Sequence, residues 1–329
     1  VAVYTLLGAE SLAAIIAEFD VGPLVSAKGI AEGVSNSNWL IETGGSDGSG
    51  TRFILTMYET RTDIGDLPFF LGLLDHLAER HCPVPRTIHD RAGQAYRLHD
   101  GKALALIEFL PGVSVSEPTP AQARAVGAAL AQIHHAAADF PARRANSLGP
   151  EGWRGLAKAC GSEGLASIHP ELGTLVDREL ARIERQWPRD LPHSVIHADL
   201  FPDNVLMLGD KVTGLIDFYF ACNDITAYDL AVTHAAWCFS SDGRMFDAAL
   251  SEALLAGYET VRPLLAEERA ALPVLARGAA IRFLMTRAYD WMNTPEGALV
   301  TRKDPLAFAR RLDFYADPAN ADLFGTADE

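Results

Sequence analysis

At 329 residues the chain is about twice the length of a typical domain. Its 49% hydrophobic and 22% charged residues are those of a globular protein with a real core, which excludes wholesale disorder, a collagen-like fibre and a disulfide-stapled miniprotein. Against 28 basic residues stand 43 acidic ones, and the net charge of −15 repels phosphate backbones and anionic lipid. Nucleic acid and membrane surfaces are therefore not expected as partners, and an anionic substrate would need a local basic pocket or a metal.

Cys82, Cys160, Cys222 and Cys238 form no C-x-x-C pair and no zinc spacing, so they read as buried free thiols of a reducing compartment. The opening VAVYTLLGAESLAAIIAEFDVG carries Glu10, Glu18 and Asp20 without a basic leader. It reads as neither a secretory signal nor a membrane span, and a cytoplasmic location is expected.

Residues 9–19 place Leu12, Ile15, Ile16 and Phe19 at helical spacing. LVSAKGIAEGVSNSNWLIET then holds two strands around a Gly/Ser/Asn-rich turn, followed by the loop GGSDGSG and the strand RFILTMYE. Residues 66–80 read as a helix with Asp66 near its start, PVPRTI as an extended connector, and RAGQAYRLHDGKALALIEFLPG as a hairpin. After Pro111 and Gly112 the character changes. Residues 119–139, 171–186, 244–261, 266–291 and 304–315 are helical in pattern, with one strand-like island at 195–220. The expected organisation is α+β: a β-rich N-terminal lobe over 1–109, a mainly helical lobe over 110–316 and a frayed acidic tail over 317–329.

The island reads VIHADLFPDNVLMLGDKVTGLIDFYFA. With 10 His in the chain, chance supplies about 0.7 of an H-x-D, but requiring Asn five residues after the Asp cuts that to roughly 0.01–0.02. The match is His197, Asp199 and Asn204, and the next apolar strand delivers Asp217. Phosphoryl transfer needs this set: one carboxylate to orient and deprotonate a hydroxyl, and hard oxygen donors to hold Mg²⁺ against ATP. Asp199 is assigned as the base, Asn204 and Asp217 as metal ligands, and His197 as a brace of the catalytic loop. The plainer reading of Asp199, Asp203 and Asn204 as turn-forming Asx residues leaves the second Asp at the end of the next strand unaccounted for. A metallophosphoesterase would want more His in ligand motifs, and His134–His135 reads as helix surface.

HADLFPDN followed by LIDF resembles the catalytic and metal motifs of the aminoglycoside phosphotransferase and choline kinase superfamily, whose members are bilobal, protein-kinase-like small-molecule kinases. Within it KGIAEGVSNSNWLIET, RFILTMYE, DLPFFLGLLDHLAER and IDFYFAC are most similar to the homoserine kinase family, the type distinct from the GHMP-fold enzymes. The resemblance covers about 20–315. It implies ATP and Mg²⁺ as requirements and L-homoserine as the small-molecule acceptor, on the route to threonine. It also implies a nucleotide-covering turn drawn from Gly29, Gly33, Ser35, Asn36, Ser37 and Asn38, and adenine contacts from the hinge residues Glu108, Phe109 and Leu110.

Where such kinases carry a strand Lys for the phosphates, this chain has Thr56, so either the metal or a cation such as Lys28 or Arg61 takes on more of the charge. An amino-acid acceptor wants an Arg for its carboxylate and a carboxylate for its ammonium. Arg282, Arg287 and Asp290 on one helix, with Asn38, Tyr219, Asn223 and Asp224, are the candidates, and Arg282 is the preferred clamp; for any one of them a plain ion pair is the competing account. Two rival functions stand beside this one: a kinase of another small alcohol (an aminoglycoside, choline or a sugar-like thioether), and a nucleotide-binding pseudokinase resting on Thr56 alone. Oligomeric state is left open.

Overall fold

The computed structural model describes residues 7–30, 36–45, 50–59, 63–294 and 302–325. The chain divides into two compact units, Val1–Gly112 with Thr213–Tyr219, and Val113–Val212 with Phe220–Glu329.

The first unit opens with α1 (Ala9–Ile16), continues through β1 (Leu24–Ile30), β2 (Asn36–Gly44), β3 (Gly50–Tyr58), α2 (Leu67–Glu79), β4 (Thr87–Ile88) and β5 (Arg97–His99), and reaches β6 (Lys102–Glu108). The sheet runs β1-β2-β3-β6-β4 with β5 also on β6, every pairing antiparallel. Alternation decides what it buries. Trp39 and Ile41 of β2, Phe53, Leu55 and Met57 of β3 and Leu104 and Leu106 of β6 meet Leu12, Ile15, Ile16 and Phe19 in one apolar cluster. Phe19 lies beyond the end of the first helix and bridges to Asp90. α2 starts as read, with Asp66 at its N-cap and Pro68 in the first helical turn, and a 3-10 turn over Ile64–Asp66 precedes it, capped by Asp63, which accepts from the Gly65 amide (2.9 Å).

The second unit holds α3 (Pro120–Ala136), α4 (Pro150–Ile168), α5 (Leu172–Gln186), β7 (His193–Ile196), β8 (Val205–Leu208), β9 (Lys211–Leu215, which crosses into the first unit), β10 (Cys222–Ile225), α6 (Thr226–Trp237), α7 (Ala248–Glu259), α8 (Ala266–Asn293) and α9 (Leu306–Ala316). β7 pairs antiparallel with β10. Thr119 and Gln122 cap α3 reciprocally. α3 and α7 cross closely, because a methyl on Gly127 would run into the Leu254 carbonyl and one on Gly257 into that of Arg124. That approach lets His134 of α3 and Tyr258 of α7 reach α6. α4 has no counterpart among the expected helices. Gly152, Gly155, Gly161 and Gly164 weaken its pattern, and it kinks at Gly161 (φ 65), but Trp153, Cys160 and Leu165 are buried along it.

Two expectations are corrected. The lobe boundary at 109/110 misses that residues 213–219 return to the first unit, where the Leu215 amide donates to the Pro83 carbonyl (2.7 Å). The tail is not frayed over 317–325: Pro318–Asn320 forms a 3-10 turn and Phe324 is 3% exposed against His234. The four cysteines are free and buried, as read. No helix among the described residues is long and apolar enough to cross a membrane.

His234 of α6 is fully buried between the Tyr315 hydroxyl (2.7 Å) and the Ser251 hydroxyl (2.8 Å), and burial pushes its imidazole down to about 3. The unfolded chain takes up a proton at this position near pH 6.5 and the folded one does not. Its contribution to stability is therefore complete above about 6.5 and drains away as the pH falls toward 3. Urea midpoints measured from pH 7 to 4 should fall more steeply for the wild type than for His234→Gln; parallel profiles would contradict this.

Candidate active site

The loop after β7 carries the expected base. His197 and Ala198 are buried, and Asp199 emerges half-exposed. Ala198 sits at φ 64, a left-handed conformation costing a non-glycine residue about 1–2 kcal/mol. Asp229 and Arg282 hold it there. Asp229 Oδ1 accepts from the Ala198 amide (2.7 Å) and Oδ2 from the His197 amide (2.6 Å), while the Arg282 guanidinium donates to the Ala198 carbonyl. The Asp199 amide donates to His197 Nδ1 (3.2 Å), and the Trp237 indole to the Leu200 carbonyl (2.9 Å). Asn204 Nδ2 donates to the Asp199 carbonyl (2.7 Å), which directs its own Oδ1 to the other side of the amide.

Asp229 is supported in turn. Its Oδ2 also meets His134 Nε2 (3.0 Å), and His134 Nδ1 meets the Tyr258 hydroxyl (2.8 Å). Arg262 Nη1 donates to that hydroxyl (3.3 Å). One assignment satisfies the chain: Arg262 donates to Tyr258, Tyr258 to Nδ1, and Nε2–H to Asp229. Burial raises the Asp229 carboxyl, but the hydrogen bonds from His134 and from the His197 amide help to bring it below its ordinary value. His134 is thus no surface residue, being 2% exposed; only its neighbour His135 is on the outside.

In the first unit Asp217 is exposed at φ 67, a second left-handed non-glycine position at the end of a strand. Tyr219 follows, packed edge-on against Tyr58 (centroids 5.4 Å) and Phe70 (5.8 Å), with its hydroxyl 3.3 Å from that of Tyr58. Burial raises both phenols, so both stay protonated as donors. Thr56 is 3% exposed and donates to Asn38 Oδ1 (2.8 Å), and it also bonds Tyr219. Thr56, Asn38 and Tyr219 therefore form one polar cluster beside Asp217.

The other expected contacts divide. Asn36 is buried with its Oδ1 on the Glu59 amide (3.3 Å), and Gly29 and Lys28 are exposed on β1. Gly33, Ser35 and Arg61 lie outside the described residues. Glu108 ends β6 with its amide on the Arg86 carbonyl and its carboxylate on the Arg86 amide, and Phe109 and Leu110 follow half-buried. Asp224 is tied to Asn146 Nδ2 (2.6 Å), Asn223 to the Arg144 amide (2.8 Å), and Asp290 is exposed at the end of α8. Arg282 is not placed as a carboxylate clamp: it is 1% exposed, its guanidinium lies against Phe283 (4.6 Å), and it serves the Ala198 carbonyl. Sequence reasoning passed over the Lys102–Glu59 pair (2.5 Å), in which Ser37 also donates to Glu59. Glu59 and Lys102 each lie two residues beyond Met57 opposite Leu104, the last pair of the β3–β6 register, so strand pairing was the signal.

The H-x-D-x₄-N loop of the second unit is thus braced on both sides, and in the first unit Asp217 closes a strand in a left-handed conformation. The chain belongs to the phosphotransferase enzyme family, which it matches over residues 26–264. It is 51% identical over 326 residues to the homoserine kinase of Azorhizobium caulinodans, covering 99% of each chain. To the homoserine kinase of Gluconacetobacter diazotrophicus it is 52% identical, covering 98% of this chain and 99% of that one. Among solved structures, the amicoumacin kinase hAmiN in complex with AMP-PNP, Ca²⁺ and Ami has a TM-score of 0.69 at 14% identity, over 94% of this chain and 93% of that chain. A microcompartment-associated aminopropanol kinase has a TM-score of 0.66 at 19% identity, over 96% and 99%. Both are likenesses of fold.

Proposed function

We propose that the chain is an ATP-dependent homoserine kinase, transferring the γ-phosphoryl group of ATP to the hydroxyl of L-homoserine and releasing ADP and O-phospho-L-homoserine. The observation that carries this reading is the full-length identity of about one half to homoserine kinases. We place the enzyme in the cytoplasm, with the free cysteines and the amino-acid biosynthetic role in support.

Asp199 accepts the proton of the attacking hydroxyl as the new O–P bond forms and the bond from the γ-phosphorus to the bridging oxygen breaks. It is suited to this because its backbone is fixed on both sides while its carboxylate stays half-exposed. Among the described residues no three His, Cys, Asp or Glu side chains make a ready metal cage. Mg²⁺, which takes few protein ligands and shares phosphate oxygens, fits that donor set, with Asn204 and Asp217 as its protein donors. When bound, the ion offsets the charge of the nucleotide phosphates. Thr56 holds Asn38 and Tyr219 through hydrogen bonds and brings no charge of its own to the phosphates.

The test is a coupled ADP-release assay with ATP and Mg²⁺, offering L-homoserine, L-serine, L-threonine, choline and kanamycin in parallel. Homoserine should give the highest kcat/KM by at least an order of magnitude. A different preferred alcohol would leave a kinase but overturn the acceptor, and nucleotide binding without turnover on any of them would favour the pseudokinase.

A further inference from the structure

Helix α8 carries three arginines at five-residue spacing, Arg277, Arg282 and Arg287. The first two are committed to the fold. Arg277 is buried in an ion pair with Glu179 of α5, and Arg282 holds the Ala198 carbonyl. Arg287 differs from both. It is half-buried, its guanidinium lies 4.5 Å from the Phe308 ring centroid, and Nη1 donates to the Asp304 carbonyl (3.2 Å). Among the described residues it makes no ion pair.

The Phe308 ring beneath Arg287 packs in turn against Phe201 (centroids 6.1 Å), two residues beyond Asp199, which sets Arg287 beside that loop. Asp304, Asp199 and Asp203 favour its charged form, but burial outweighs them and holds it at about 10. It therefore stays cationic at neutral pH, at a desolvation cost that an anionic ligand would offset. The neighbouring cations are differently placed. The Lys303 ammonium is 3.5 Å from Asp203 and largely exposed, and Arg311 is buried with its donors on the Ala307 and Ser240 carbonyls. Arg282 and Arg311 also lie over rings, but both are buried with donors on backbone carbonyls, whereas Arg287 is half-exposed over Phe308 and makes no ion pair among the described residues, which leaves its fork open to a carboxylate.

We propose that Arg287 binds the α-carboxylate of the acceptor amino acid and so sets the preference for an amino acid over a simple amino alcohol. The inference rests on the homoserine kinase reading and gives Arg287 the task that sequence reasoning gave Arg282. Specificity then comes from α8, while Asp199 on its loop meets the hydroxyl.

The experiment compares L-homoserine with its decarboxylated analogue, an amino alcohol of the same three-carbon chain, in the wild type, Arg287→Ala and Arg287→Lys. The readout is the ratio of the two kcat/KM values. Arg287→Ala should lower that ratio about 10- to 100-fold through the KM for homoserine, with Arg287→Lys between and the KM for ATP unmoved. An equal loss on both acceptors, or a change confined to the KM for ATP, would overturn the proposal. If Arg287→Ala does not fold, the Arg287→Lys ratio decides in the same way. A wild type that phosphorylates another alcohol but not homoserine removes the functional reading, and this inference with it.

Discussion

Asp199→Asn is expected to lower kcat about 10²- to 10⁴-fold, while the KM for ATP stays within a few-fold and the unfolding free energy within about 1 kcal/mol. The replacement keeps the shape of the side chain and the backbone bonds that hold it, namely the Asn204 amide on the Asp199 carbonyl and the Asp199 amide on His197. What it removes is the capacity to take a proton. The long contact from Asn204 to Asp199 Oδ2 (3.4 Å) adds little stability, so folding should hardly notice the change. Steady-state kinetics beside a urea melt separates the two effects. A variant keeping more than a fifth of wild-type kcat would show that Asp199 is not the base.

Asp229→Asn should act on folding first, costing about 3–5 kcal/mol. The carboxylate accepts three hydrogen bonds in a fully buried position, from the His197 and Ala198 amides and from His134. An amide has one acceptor oxygen and brings two donors of its own, so buried N–H groups are left unmatched. Ala198 also loses a bond that keeps it in the left-handed region. Because the folded-state carboxyl lies below its ordinary value of 3.8, the stability it supplies is present above about pH 3.8 and is lost as the pH falls through the lower folded value. The wild type should therefore lose part of its advantage over Asp229→Asn in melts below pH 4. A loss under about 1 kcal/mol at pH 7 would mean that the catalytic loop does not depend on this anchor.

The two predictions separate what could be read along the chain from what could not. Asp199, Asn204 and Asp217 could be singled out because the roles proposed for them depend on spacing within one short island, and the strands around them announce themselves by apolar alternation. Local signals also placed most of the helices. The exceptions have physical reasons. α4 carries four glycines, which hide its pattern until Trp153 is seen buried along it. His134 and His135 look alike in sequence, but the close crossing of α3 and α7 turns the first toward Asp229 and leaves the second outside.

The arginines of α8 show the same limit. Arg277, Arg282 and Arg287 are equivalent as letters, and tertiary packing alone buries the first in an ion pair and the second on the Ala198 carbonyl, and leaves the third half-exposed over the Phe308 ring. Thr56 reads in isolation as a missing lysine. In the fold it is one member of a hydrogen-bonded cluster with Asn38 and Tyr219.

The most direct test of the account is product identification by phosphorus NMR after incubating the protein with ATP, Mg²⁺ and L-homoserine, beside Asp199→Asn. The account predicts a phosphomonoester resonance on the homoserine side chain, growing in step with ADP and absent from the variant over the same interval. Inorganic phosphate as the sole new signal, or the same phosphomonoester formed equally fast by Asp199→Asn, would contradict it.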